Sequence, residues 1–236
     1  MKTQTFKQTF IIPLLVSVFS ISTCFSQEDG TKDLESWNTI GLKYKLNKKW
    51  SFELEEQLRL DENISEISEY FTQLSTEYSI SKKFELGAGF RYISENDNEG
   101  KLQGYENHFR LNLDASYKHK ISDFSLKYRL RYQNKNELGV DDFANQHIRF
   151  KTAVGYNFKN WKLDPKFSAE IFNHLEKGEE NGFDKYRLTL GTEYKFKKMG
   201  TLGLFYRYEK ELNESIPETT KIIGLKYTYT IKNRKK

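Results

Sequence analysis

From Phe124 to Gln133 the chain reads FSLKYRLRYQ, so that Phe124, Leu126, Tyr128, Leu130 and Tyr132 alternate with Ser125, Lys127, Arg129, Arg131 and Gln133. A period of two belongs to a β-strand with one apolar and one charged face. Wound as a helix, the five apolar residues would point to all sides and leave no face to bury. The same alternation runs through residues 78–92, YSISKKFELGAGFRY. There Tyr78 and Ile80 end one strand, Ser81-Lys82-Lys83 form the connection, and Phe84, Leu86, Ala88, Phe90 and Tyr92 line the next strand opposite Glu85, Gly87, Gly89 and Arg91. This is a β-hairpin.

Further strands follow the same rule, and eleven are read between Trp37 and Ile231. Short basic connections follow the odd strands and long acidic ones follow the even strands. Tyr and Phe number 15 and 18 against 3 Pro, which favours strands. After the N-terminus no run of 18 apolar residues exists to cross a membrane as a helix. Strands of about 9–11 residues with aromatics at their ends are what a membrane-spanning barrel requires. Tyr44 and Trp50, Tyr78 and Phe84, Tyr117 and Phe124, and Phe158 and Trp161 flank four of the short turns as a membrane-interface girdle. The expected fold is therefore all-β, an antiparallel up-and-down transmembrane β-barrel. Because bacterial single-chain barrels have even strand numbers, about twelve strands are expected, residues 28–35 supplying the twelfth or running through the lumen as an arm. Two residues break the pattern. Glu56 puts a carboxylate on an apolar face, through local irregularity or under a shielding lysine stem, and Pro165 interrupts the eighth strand, read from Trp161.

Residues 1–26 have a basic start (Lys2, Lys7), an apolar run from Phe10 to Ile21 and a small-residue end, the layout of an export signal cleaved before Gln27. Residues 27–236 then form one barrel domain. Loss of Lys2 and Lys7 takes the formal charge from +5 to +3. The single cysteine, Cys24, excludes an internal disulfide and leaves with the signal, the alternative being a lipid-modified residue. In the long loops acidic residues number 18 and basic ones 4, whereas the short turns and C-terminal tail hold 13 basic and 1 acidic. Two different environments at the two ends fit an outer membrane, with acidic loops outside among lipopolysaccharide and lysine turns in the periplasm. No stretch has the ligand spacing of a metal site, and no cofactor is expected. Gly224, Tyr227 and Tyr229 resemble the C-terminal signal read by the barrel-assembly machinery, although residues 232–236 follow it.

The charged parity defines a lumen. Its basic candidates are Arg59, Arg91, Arg110, Lys127, Arg129, Arg131, Arg149, Lys151, Arg187 and Arg207. Its acidic candidates are Glu53, Glu55, Glu77, Glu85, Asp114, Glu170 and Glu193. Two functions follow from that set: a structural barrel whose lumen is filled by ion pairs, or a small anion-favouring pore. A soluble periplasmic ligand-binding barrel, with the apolar face turned inward, is the alternative. An outer-membrane lipid hydrolase is disfavoured, since no serine stands two residues from any of the four histidines and none of these is expected to meet an orienting carboxylate. The protein is read as not an enzyme. The isoelectric point of about 8.9 comes from dispersed charges and does not mark a nucleic-acid surface.

Trp37, Glu53 to Arg59 (ELEEQLR), Gly89-Phe90-Arg91-Tyr92 and Tyr128-Arg129-Leu130-Arg131-Tyr132-Gln133 resemble the exported β-barrel family catalogued as domain of unknown function 2490. The likeness runs over nearly the whole mature chain. It implies a barrel fold and export, and it carries no activity.

Overall fold

A computed structural model describes residues 30–97, 104–140, 144–158, 161–175 and 181–233. The proposed signal peptide and Cys24 lie outside the described residues. Eleven strands are present among them: β1 (Lys32–Lys45), β2 (Trp50–Asp61), β3 (Glu66–Ser79), β4 (Phe84–Asp97), β5 (Gly104–Ile121), β6 (Phe124–Glu137), β7 (Asn145–Tyr156), β8 (Lys166–His174), β9 (Gly182–Phe196), β10 (Gly200–Glu211) and β11 (Thr219–Lys232). Each pairs with its neighbours in sequence, and β1 meets β11 to close the barrel.

The closure corrects two expectations. Residues 32–35 lengthen β1 and do not make a twelfth strand. Ten ladders are antiparallel, but the β1–β11 ladder is parallel, running without a break from Lys32 opposite Thr219 to Lys45 opposite Lys232. An odd number of up-and-down strands forces this result, because the first and last then point the same way. Both run from the end of the long loops to the end of the short turns.

Pro165 stops a strand where the sequence placed one. Lacking an N–H, it cannot donate to the ladder, and β8 starts only at Lys166. Leu163 makes a single bridge to Tyr194, and the Pro165 carbonyl accepts from the Tyr156 amide at 3.2 Å. Glu56 also departs from expectation. The ladder is regular around it, and its partner is a hydroxyl: Thr72 Oγ1, directly opposite on β3, donates to the carboxylate at 2.8 and 2.9 Å.

Polarity is inverted relative to a water-soluble domain. Among the described residues the buried hydrophobic side chains are Trp37, Phe71, Ile93, Phe172 and Ile222, whereas Glu69, Gln73, Arg91, Asn112, Gln133, Arg149 and Glu170 are among the buried polar ones. Ile40, Leu42, Leu54, Leu74, Phe90, Leu111, Leu130, Phe150, Leu190, Leu204 and Leu225 stand exposed on the outer wall. Near the short turns Tyr44, Trp50, Phe84, Tyr117, Phe124, Phe158 and Trp161 are exposed outward, with Tyr78 half-buried against Trp50, ring centroids 4.7 Å apart. A second outward ring, containing Tyr70, Tyr92, Tyr105 and Tyr206, lies toward the long loops.

Candidate functional site

Strand parity carries every lumen candidate inward, and the barrel sorts them by height. Toward the short turns lies a mixed layer around a cavity of about 240 Å³. In it Lys43 reaches Glu77 at 2.7 Å and Glu53 at 3.3 Å, Lys226 pairs with Glu53 at 3.4 Å and with Glu55, and Lys118 and Lys127 hold Glu85 at 2.5 and 3.7 Å. Glu193 stands apart on β9, bound by Lys166 at 2.8 Å, at a neighbouring cavity of about 470 Å³.

Toward the long loops a cavity of about 440 Å³ is lined by eleven Lys and Arg residues and six Glu. Arg131 grips Asp114 through two parallel bonds of 2.7 Å, the strong fork-to-fork form. Glu170 is shared by Arg129 at 2.7 Å, Arg149 at 2.9 Å and Lys151 at 3.9 Å. Every described ion pair across strands joins neighbours or next neighbours. The network therefore follows the wall and leaves the cavities between its layers.

The guanidinium groups rest on aromatic rings that point inward. Trp37 carries Arg59 at 3.5 Å and Arg207 at 4.5 Å from its ring centre, Phe71 carries Arg91 at 3.3 Å, Phe172 carries Arg149 at 4.2 Å, and Phe205 carries Arg207 at 4.6 Å. Such stacking suits guanidinium, which is planar and weakly hydrated. The Phe205 ring needs Gly224 opposite it, since a Cβ there would fall 1.9 Å from the ring. Gly224 thus has a packing role within the barrel, while Tyr227 and Tyr229 of the same stretch point outward and Tyr227 donates to the Met199 carbonyl.

Residues missed in sequence share one cause. Glu69, Glu95, Asp184 and Glu209 look like loop acids, yet the strands extend past the apolar repeats and carry them inward. Glu69 pairs with Arg59 at 2.7 Å, Glu209 with Arg187 through Nε at 2.5 Å, and Glu95 with Lys135. Lys43, Lys226 and the inward rings follow from the same parity as the residues found.

Two histidines correct the expectation that none meets a carboxylate: His108 Nε2 lies 3.3 Å from Glu95 and 3.6 Å from Glu106. His147 Nε2 lies 2.7 Å from Asp184 Oδ2, and its ring stacks on His174 at 4.7 Å. The described lining of the adjacent cavity, about 720 Å³, contains Asn145, Asn181, Glu211 and Asn213 and neither serine nor cysteine.

No curated protein matches the chain. Residues 34–218, which carry all the arginines of the lumen, match the model of a family described as "Protein of unknown function (DUF2490)", and the chain belongs to that family.

Proposed function

We propose that the protein is an integral barrel of the outer membrane whose lumen admits small anions in preference to cations. One observation carries the membrane reading: the apolar residues form the outer wall and the charged residues the interior. In water that wall would expose far more contiguous apolar surface than soluble monomers tolerate. A soluble ligand-binding barrel requires the opposite arrangement. The aromatic rings at both ends of the wall match the girdles of membrane barrels. In this reading lipid and lipopolysaccharide surround the wall, the assembly machinery inserts the chain, and the lumen performs no catalysis.

The preference for anions follows from the excess of arginine and lysine in the 440 Å³ cavity, as basic linings favour anions in other pores. A second reading, an ion-paired scaffold that conducts nothing, is favoured by the density of salt bridges along the wall. Planar bilayer recording with purified protein separates the two. Conductance steps with anion selectivity support the pore, cation-selective steps contradict it, and absence of steps leaves the scaffold.

A further inference from the structure

Most cations of the lumen have a carboxylate partner among the described residues; Arg207 has only the Thr189 hydroxyl, at 3.2 Å, and two facing neighbours have no carboxylate partner. Arg91 on β4 and Arg110 on β5 stand directly opposite each other. Like charges facing each other across a ladder repel, so this register is unfavourable unless something negative lies between or beside them. Arg91 Nε donates to the Gln73 amide oxygen at 2.9 Å and its face covers Phe71, but its Nη1 is buried without a partner. Arg110 Nε is likewise buried and unpartnered, and Arg110 makes no ion pair among the described residues. The adjacent carboxylate, Glu69, lies 2.7 Å from Arg59 Nη1, although its Oε1 makes no hydrogen bond of good geometry among the described residues.

Two residues along β5, Asn112 adds a third unfilled valence. It is 1 % exposed, and neither its Nδ2 nor its Oδ1 finds a partner among the described residues. Gly89 faces it and contributes no side chain to that corner. Arg91 and Arg110 line the 440 Å³ cavity and Asn112 the 240 Å³ one, and the two cavities share Arg129, Arg131, Lys226 and Glu55 in their walls. Buried polar atoms are rarely left unsatisfied in a folded protein, and several donors left open in one place mark a ligand position.

We propose that Arg91, Arg110 and Asn112 form a binding site for a multiply charged oxyanion, of the small phosphate or polycarboxylate class. The oxyanion takes the open N–H groups of both guanidinium forks, which match its geometry in a way that a spherical halide does not. It also removes the repulsion between the two arginines. The amide of Asn112 donates to a second oxygen of a ligand too long for one fork. The site deepens the anion-favouring reading of the lumen and rests on it for access.

The test is isothermal titration of the purified full-length barrel in detergent with inorganic pyrophosphate, citrate and sodium chloride at matched ionic strength. Saturable binding of pyrophosphate or citrate, without a chloride response, is expected, and the stronger of the two identifies the phosphate or carboxylate source. Arg110→Gln should weaken it by about tenfold or more, the loss of a charge-assisted bond pair, and Lys82→Gln should leave it unchanged. Should Arg110→Gln fail to fold, two milder variants decide: Arg110→Lys keeps the charge without the fork, and Gly89→Val fills the corner where a Cβ meets nothing closer than 3.6 Å. A several-fold loss in either supports the site. Heats equal to those of chloride, or full affinity in both variants, overturn it. Each sample is checked for heat-dependent mobility on a denaturing gel, which reports the membrane barrel itself, so failure of the site and failure of the barrel reading give different results.

Discussion

Trp37 shows how much one inward ring does. It is 6 % exposed, and the Arg59 and Arg207 guanidinium groups lie on it from two sides of the barrel seam. Trp37→Ala removes that platform and opens a void, and urea unfolding in detergent should show a loss of about 3–5 kcal/mol; Trp37→Phe, which keeps a smaller face, should lose less. Glu56 poses the reverse case on the outer wall. With only the Thr72 hydroxyl to satisfy it among the described residues, the carboxylate sits in an apolar belt, so Glu56→Leu should raise the unfolding midpoint in lipid. A lower midpoint would mean that Glu56 faces something other than lipid. Parity alone told which way these residues point, because side-chain direction in a strand is a property of the backbone. It said nothing of Arg91 and Arg110 lacking partners, because that depends on register between strands, which the turns set and the alternation does not.

At the scale of elements, the turns do what the strands cannot. Between β2 and β3 the residues Glu62, Asn63 and Ile64 all have positive φ (47°, 57° and 68°), a costly run for non-glycine residues. Asp33 of β1 holds the turn, its carboxylate accepting from the Glu62 and Asn63 amides at 3.1 and 2.8 Å. Asp33→Ala should cost about 1.5–3 kcal/mol, the range for hydrogen bonds to a charged group, measured as the change in unfolding free energy. The β5–β6 connection has Ser122 at φ 53°, and Ser122→Gly should stabilise slightly by relieving the left-handed conformation. The loop before β11 should respond to pH. Burial, followed by the nearby Glu211 and Asp33 carboxylates, raises the pKa of Glu218. A folded-state pKa above the unfolded one means that this contribution is complete at acid pH and is lost as pH rises through the folded value. Glu218→Gln, fixed in the neutral form, should therefore flatten that decline in melting temperature with pH; an unchanged slope would place the titration elsewhere. Strand identities were legible from the alternation, but the strand ends were not. Polar residues continue on both faces beyond the apolar belt, so Glu69 and Glu209 read as loop until pairing with Arg59 and Arg187 reveals them.

For the whole molecule, the odd strand count has a topological consequence. β1 starts at the long-loop end and β11 finishes at the short-turn end, so the two termini of the barrel open on opposite sides. The proposed orientation places the long loops outside the cell. Cysteine introduced at Thr31 or Asn181 should then react with an impermeant reagent in intact cells, whereas cysteine at Lys82 should not. The opposite pattern would invert the barrel. The parity of the strands was visible in the alternation of short and long connections. That it would be resolved by a parallel seam was not, because residues 32–35 carry no clear repeat and only their pairing with Thr219 to Ile222 makes them strand. The central claim is that the apolar outer wall is a lipid-facing surface closed by a continuous ladder of hydrogen bonds. Gel mobility in dodecyl sulfate with and without boiling tests it most directly. The unboiled protein should migrate as a compact, faster band that converts to the slower unfolded one on heating, and identical mobility in both lanes would contradict the account.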